Sequence, residues 1–101
     1  MNPINKMRPV HPGEVLREEF LAPLGLSAHA LALELKVPAP RINDIVRERR
    51  SITPDTSLRL ARYFGTTPQF WLNLQTSYDL KIADEKLGAK IEREVQARVM
   101  A

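Results

Sequence analysis

The chain has 101 residues, 44% of them hydrophobic and 27% charged, a size and balance that suit one domain with a modest core. It contains no cysteine, which rules out disulfides and thiolate metal sites and makes the cytoplasm the expected compartment. No apolar run reaches the length of a membrane span, no export signal follows "MNPINKMRPV", and a formal net charge of +3 is too mild to imply nucleic-acid binding by itself.

Prolines punctuate the chain into short helical words, and no alternating strand pattern survives between them. "HPGEVLREEFLAPLGL" predicts a first helix with Pro12 in its first turn, Glu14 near the positive end, and Val15, Leu16, Phe20 and Leu21 near one face. Pro23 and Gly25 are expected to stop it. Ser27 is a good N-cap for a second helix that carries Leu31, Ala32 and Leu35 inward and ends at "KVP". The third, "APRINDIVRE", buries Ile42, Ile45 and Val46.

Thr53-Pro54-Asp55 and Thr67-Pro68-Gln69 each combine a hydroxyl N-cap with a proline at the first helical position, and so open two more helices. The fourth is expected to present Leu58, Leu60, Ala61 and Phe64 as one apolar stripe closed by Gly65. The fifth carries Phe70, Trp71, Leu72 and Leu74, and no basic residue interleaves its aromatic pair, which argues against a base-stacking platform. That much apolar surface exceeds what a short core needs, so Phe70, Trp71, Leu74 and Tyr78 are candidates for a homodimer interface. Beyond it, Leu80, Leu87, Ile91 and Val95 predict a C-terminal helical tail with a thin apolar line, weakened at Gly88 by about 1 kcal/mol relative to alanine.

The expected architecture is therefore all-α: an N-terminal arm (1–10), a five-helix domain (11–79) and an additional helical tail (80–101). Within the domain, the second and third helices have the dimensions of a helix-turn-helix. Ala32 is small where the two axes should approach, and Leu31, Leu35, Val37, Ile42 and Ile45 fall where the pair packs on its neighbours. Lys36 stands where such turns favour glycine, and a side chain in a left-handed conformation costs on the order of 1 kcal/mol.

A helix docked this way offers its N-terminal end to the major groove, which makes Ala39, Pro40, Arg41, Asn43 and Asp44 the candidate base-reading residues. Arg41 suits guanine and Asn43 adenine. Ala39 and Pro40 suit thymine methyls, and Asp44 suits a cytosine amino group or an ion pair with Arg41 or Arg47. Ser27, Arg47, Arg49 and Arg50 are candidates for phosphate contacts, which set register without choosing bases. Arg59 and Arg62 read as solvated surface.

"HPGEVLREEFLAPLGLS" and "PAPRINDIVRERRSITPDTSLRLARYFGTTPQFWLNLQTSYDL", in this order, resemble the HigA-type antitoxins, or plasmid-maintenance antidotes, of the phage-repressor-like helix-turn-helix superfamily. The likeness covers roughly residues 8 to 84 and includes the flanking "HPGE" and "FWLNLQ" words. It implies a homodimer that binds double-stranded operator DNA in its own promoter and neutralises a HigB toxin, a RelE-like ribonuclease. Against such a basic partner, the acidic face of the first helix (Glu14, Glu18, Glu19) is the candidate toxin contact. Two alternatives stand beside this expectation: a repressor of the same fold without a toxin, and a protein-only toxin inhibitor without DNA binding.

No enzyme chemistry emerges. His11 and His29 lack ligand-spaced partners, so no metal is expected, and they suit a first-turn and a surface position. Glu18 and Glu19 are adjacent on a helix and point apart, and Ser27 has no visible base. With no glycine-rich phosphate loop, no cofactor or small-molecule substrate is expected.

Overall fold

The computed structural model describes residues 7–99 and consists of five helices in chain order, with no strand among the described residues. The first helix, α1, runs through three consecutive segments: an α-helical turn Pro12–Val15, a π-helical stretch Leu16–Leu21 and a last α-turn Ala22–Leu24. It is followed by α2 (Ala28–Leu35), α3 (Ala39–Val46), α4 (Pro54–Phe64) and α5 (Pro68–Glu94). None of them is long and apolar enough to cross a membrane.

The helix starts follow the caps expected from sequence. Ser27, Thr53 and Thr67 all sit in extended backbone, and their hydroxyls accept from Ala30, Thr56 and Phe70 amides respectively. The cap of α1 is His11, whose Nδ1 accepts from the Gly13 amide at 2.8 Å. Pro23 does not end this helix. The π turn, with the Ala22 amide bonded to the Arg17 carbonyl, runs directly into Pro23, a residue that cannot complete an ordinary i→i+4 bond. Gly25 terminates it in the left-handed conformation.

Left-handed residues also end α2 and α3, without glycine. Lys36 has φ 60° and ψ 44°, and the turn closes with the Val37 amide on the Ala32 carbonyl and the Lys36 amide on the Leu33 carbonyl. Glu48, with φ 63°, repeats the motif: its amide meets the Ile45 carbonyl, and the Arg49 amide meets the Asp44 carbonyl. The doubtful Lys36 is thus an ordinary Schellman closure with a lysine in the strained place. The second instance, at Glu48, carried no recognised sequence signal.

Leu16, Leu21, Leu31, Ala32, Leu35, Ile42, Ile45, Ile52, Leu60 and Trp71 form the core, drawing on every helix. Two expectations need correction here. Leu58 is exposed, because the inward face of α4 falls on Ser57, Leu60, Ala61 and Phe64, and the buried small polar Ser57 takes the place expected for leucine. Trp71 is completely buried, with its indole N–H donating to Thr66 Oγ1 at 2.8 Å and its ring among Phe20, Phe64 and Phe70. It therefore belongs to the subunit's own core and not to a dimer interface. A ring of this size buries roughly 150–250 Å² and completes what the short helices leave open.

The division at residue 80 also changes. Residues 80–94 are not an additional helix but the unbroken continuation of α5, which passes through Gly88 and ends at Glu94. Leu80, Leu87, Ile91 and Val95 are exposed along it. Of the proposed N-terminal arm, residues 1–6 lie outside the described residues.

Candidate nucleic-acid interface

The site is built on α3, a two-turn helix held along its inner face and at its C-terminal end. Its inner face, Ile42 and Ile45, is fully buried against α2 and the core. Its C-terminal end rests on α1. Gly13 lies so close to the Ile45 carbonyl that a Cβ placed there would come within 1.7 Å of the oxygen. One turn further along, Arg17 donates through Nη1 to the Val46 carbonyl and reaches Glu48 at 3.5 Å, so a cation closes the negative end of α3. Nothing in the local pattern of "HPGEVLREEF" distinguished Gly13 and Arg17 from a generic first turn, because both requirements come from a helix some thirty residues away.

The "RERRSIT" segment after α3 is pinned by its one apolar residue and one distant glutamine. Ile52 is buried, and its amide donates to Gln75 Oε1 at 2.7 Å, while Gln75 Nε2 donates to Asp79 Oδ1 at 2.9 Å. Gln75 is a buried polar residue in the first half of α5, and it satisfies a loop amide that no helix could. This anchor keeps the arginine-rich loop beside α3.

The outer edge of α3 carries the residues expected to read bases. Pro40 is exposed, Asn43 and Asp44 are partly exposed, and Ala39 is half-buried against the core. Asp44 pairs with Arg50 at 3.6 Å and not with Arg41 or Arg47. Arg41 instead bonds Asp55 at 2.6 Å, and Asp55 also holds Arg59. Arg59 is no idle surface group: its Nη1 donates to the Leu35 carbonyl at 2.9 Å and so caps α2. Arg47 and Arg49 are exposed and pair with no carboxylate among the described residues. Ser27 is exposed at the start of α2; its oxygen is the cap acceptor, and its hydroxyl proton remains to be donated.

The other two expected surfaces are less open. Glu14 is held in a two-point pair with Arg8, at 2.9 and 2.7 Å, which keeps its carboxyl below the usual carboxylate range. Glu18 pairs with Arg17 at 3.0 Å, so of the three acids only Glu19 has no counter-ion among the described residues. Of the four residues expected between subunits, Leu74 packs on the core and Tyr78 lies edge-on against His11, leaving Phe70, with 37% of its surface exposed, as the most accessible.

Two crossed helices joined by a left-handed turn, the second held from behind and presenting Arg41, Asn43 and a following arginine pair, define a helix-turn-helix protein. The helix-turn-helix family pattern matches residues 16–71, more than half of the chain. The chain is 64% identical over 81 residues to virulence-associated protein I of Dichelobacter nodosus, covering 80% of this chain and 75% of the relative. Among solved structures, it superposes on the Pseudomonas aeruginosa antitoxin HigA with the higBA promoter at a TM-score of 0.90, with 52% identity over 91% of this chain and 100% of that one. An addiction-module antidote protein of the HigA family from Coxiella burnetii gives a TM-score of 0.87 and 54% identity, with the same coverage. The chain belongs to the HigA family of helix-turn-helix antitoxins.

Proposed function

We propose that this protein is an antitoxin of the cytoplasm that binds operator DNA upstream of its own gene as a homodimer, represses transcription there, and neutralises a HigB-type ribonuclease toxin. One observation carries the DNA half: α3 is immobilised from behind while Arg41 and Asn43 lie on its outer edge and Arg47 and Arg49 follow with no partner carboxylate among the described residues. The relative solved with its promoter supports the same use of the fold. Each subunit places α3 in one major groove, and the two-fold partner repeats the contact about one or more helical turns away, so the operator is palindromic.

Fluorescence anisotropy on the upstream duplex and on random duplex tests this. Arg41→Ala should cost about 1–3 kcal/mol and relax preference at one base pair, whereas Arg49→Ala should weaken all duplexes alike and lower the salt slope by about one. Equal losses on both duplexes for both variants would refute the assigned roles.

The toxin half rests on family membership, and rescue of growth on co-expression with a HigB-type ribonuclease tests it. Contact through the acidic edge of α1 would centre on Glu19, since Glu14 and Glu18 already carry counter-ions. Unchanged toxin affinity after Glu19→Lys would remove that surface from consideration. Dimerisation through the neighbourhood of Phe70 is tested by sedimentation at micromolar concentration, where a clean monomer would reject it.

A further inference from the structure

The arginine placed to read a base does not project freely into solvent. Arg41 Nη1 donates to Asp55 Oδ2 at 2.6 Å, and the same oxygen accepts from Arg59 Nε at 3.0 Å. Arg59 turns its other end back to the Leu35 carbonyl, 2.9 Å away. A continuous path therefore joins the C-terminal end of α2, the first turn of α4 and the outer edge of α3, the three parts whose relative placement sets how the guanidinium meets a duplex.

The Arg41 and Asp55 side chains keep 32% and 55% of their surface exposed, an environment in which an ion pair adds little to stability. The pair's consequence is geometric. Two-point recognition of guanine O6 and N7 requires the guanidinium plane at a defined height and angle, and a side chain ordered only on binding loses rotamer entropy at that moment. Arg41 spends one of its five N–H donors on Asp55, which leaves enough for a base edge. Hydrogen bonds from Arg59 and Arg41 hold the Asp55 carboxyl below the usual carboxylate range, so the acceptor stays ionised near neutral pH.

We propose that Asp55 is a positioning residue for sequence recognition: it fixes the Arg41 guanidinium against the Arg59-capped end of α2, so that Arg41 reads a single guanine. This rests on the DNA-binding function proposed above and deepens it, because it puts a determinant of specificity outside the helix that enters the groove. Asp55 also places a negative charge beside Arg41, on the face proposed to meet the duplex. Removing that charge raises affinity for every duplex, whereas releasing Arg41 lowers preference for its own base pair. The two effects have opposite signs and are separable.

The test measures binding of the wild-type protein, Asp55→Asn, Asp55→Ser, Asp55→Glu, Arg41→Ala and the Arg41→Ala/Asp55→Asn double variant. The probes are the upstream duplex, its single-base-pair variants and a random duplex at one salt concentration, with thermal melting recorded for each protein. A wild-type protein that does not prefer the upstream duplex removes the DNA-binding function itself. Given that preference, Asp55→Asn and Asp55→Ser should lower discrimination by roughly tenfold at the base pair where Arg41→Ala also lowers it. Their affinity for random duplex should be higher and their melting almost unaltered. Asp55→Glu should keep part of the discrimination, and the double variant should discriminate no worse at that base pair than Arg41→Ala alone. Wild-type preference at every base pair in the carboxyl-free variants, or equal weakening on all duplexes, would overturn the proposal.

Discussion

Gly13→Ala is the sharpest probe of how the interface is held, because its sign runs against the usual rule. Within a helix, alanine is favoured over glycine by about 1 kcal/mol, so an unconstrained site would gain stability. At Gly13 the new methyl would lie 1.7 Å from the Ile45 carbonyl oxygen and 2.8 Å from its carbon, both backbone atoms at the end of α3. Ordinary C···O contact needs about 3.3 Å, so α1 and α3 must separate by about 1.6 Å. That displacement strains the Arg17 contact to the Val46 carbonyl and disturbs the packing of Ile45, which is wholly buried. Overpacking of this kind costs about 1–3 kcal/mol, and the rigid neighbour argues for the upper end. Urea denaturation should show a lower midpoint with an unchanged slope, and thermal melting should fall by about 4–8 °C per kcal/mol. Operator affinity should fall as well, since the helix proposed to enter the groove is what moves. A variant as stable as the wild-type protein, or more so, would refute the close approach of α1 to α3.

Arg17→Ala leaves the Val46 carbonyl without its charged donor and Glu48 without a partner. A loss of about 1–2 kcal/mol is expected by urea denaturation, and no loss would show that water serves this helix end equally well. Lys36→Gly relieves a left-handed side chain, worth about 1–2 kcal/mol, at the expense of glycine's added chain entropy, about 0.5–1 kcal/mol; the midpoint should rise by the equivalent of about 0.5–1 kcal/mol. Burial lowers the pKa of His11 below its ordinary 6.5, against the smaller opposing pull of Glu48 and Asp79. The unfolded chain therefore takes up this proton first. Stability is complete above about pH 6.5 and declines as the pH falls toward the lowered folded value. His11→Asn keeps a cap acceptor that does not titrate, so its stability should be flatter between about pH 7 and 5; an unchanged slope would locate the titration elsewhere.

Local chemistry alone determined where most helices begin and that the second and third make a helix-turn-helix. Hydroxyl caps, prolines at first helical positions and glycine at Gly25 and Gly65 act within a few residues of themselves, so they can be read along the chain. The polar edge of α3 was legible for the same reason, since buried Ile42 and Ile45 orient the remaining positions by helical period alone. What the string of residues withheld was every partner set by the approach of distant elements. Gly13 matters because of a carbonyl in α3, Arg17 and Arg59 cap helices other than their own, Gln75 holds a loop amide, and Asp55 takes the guanidinium of Arg41. Trp71 illustrates the same limit: an aromatic side chain satisfies an apolar surface equally well inside a subunit or between two. Only the packing of α1, α4 and α5 around it, with Thr66 within reach of its indole N–H, decides for the interior.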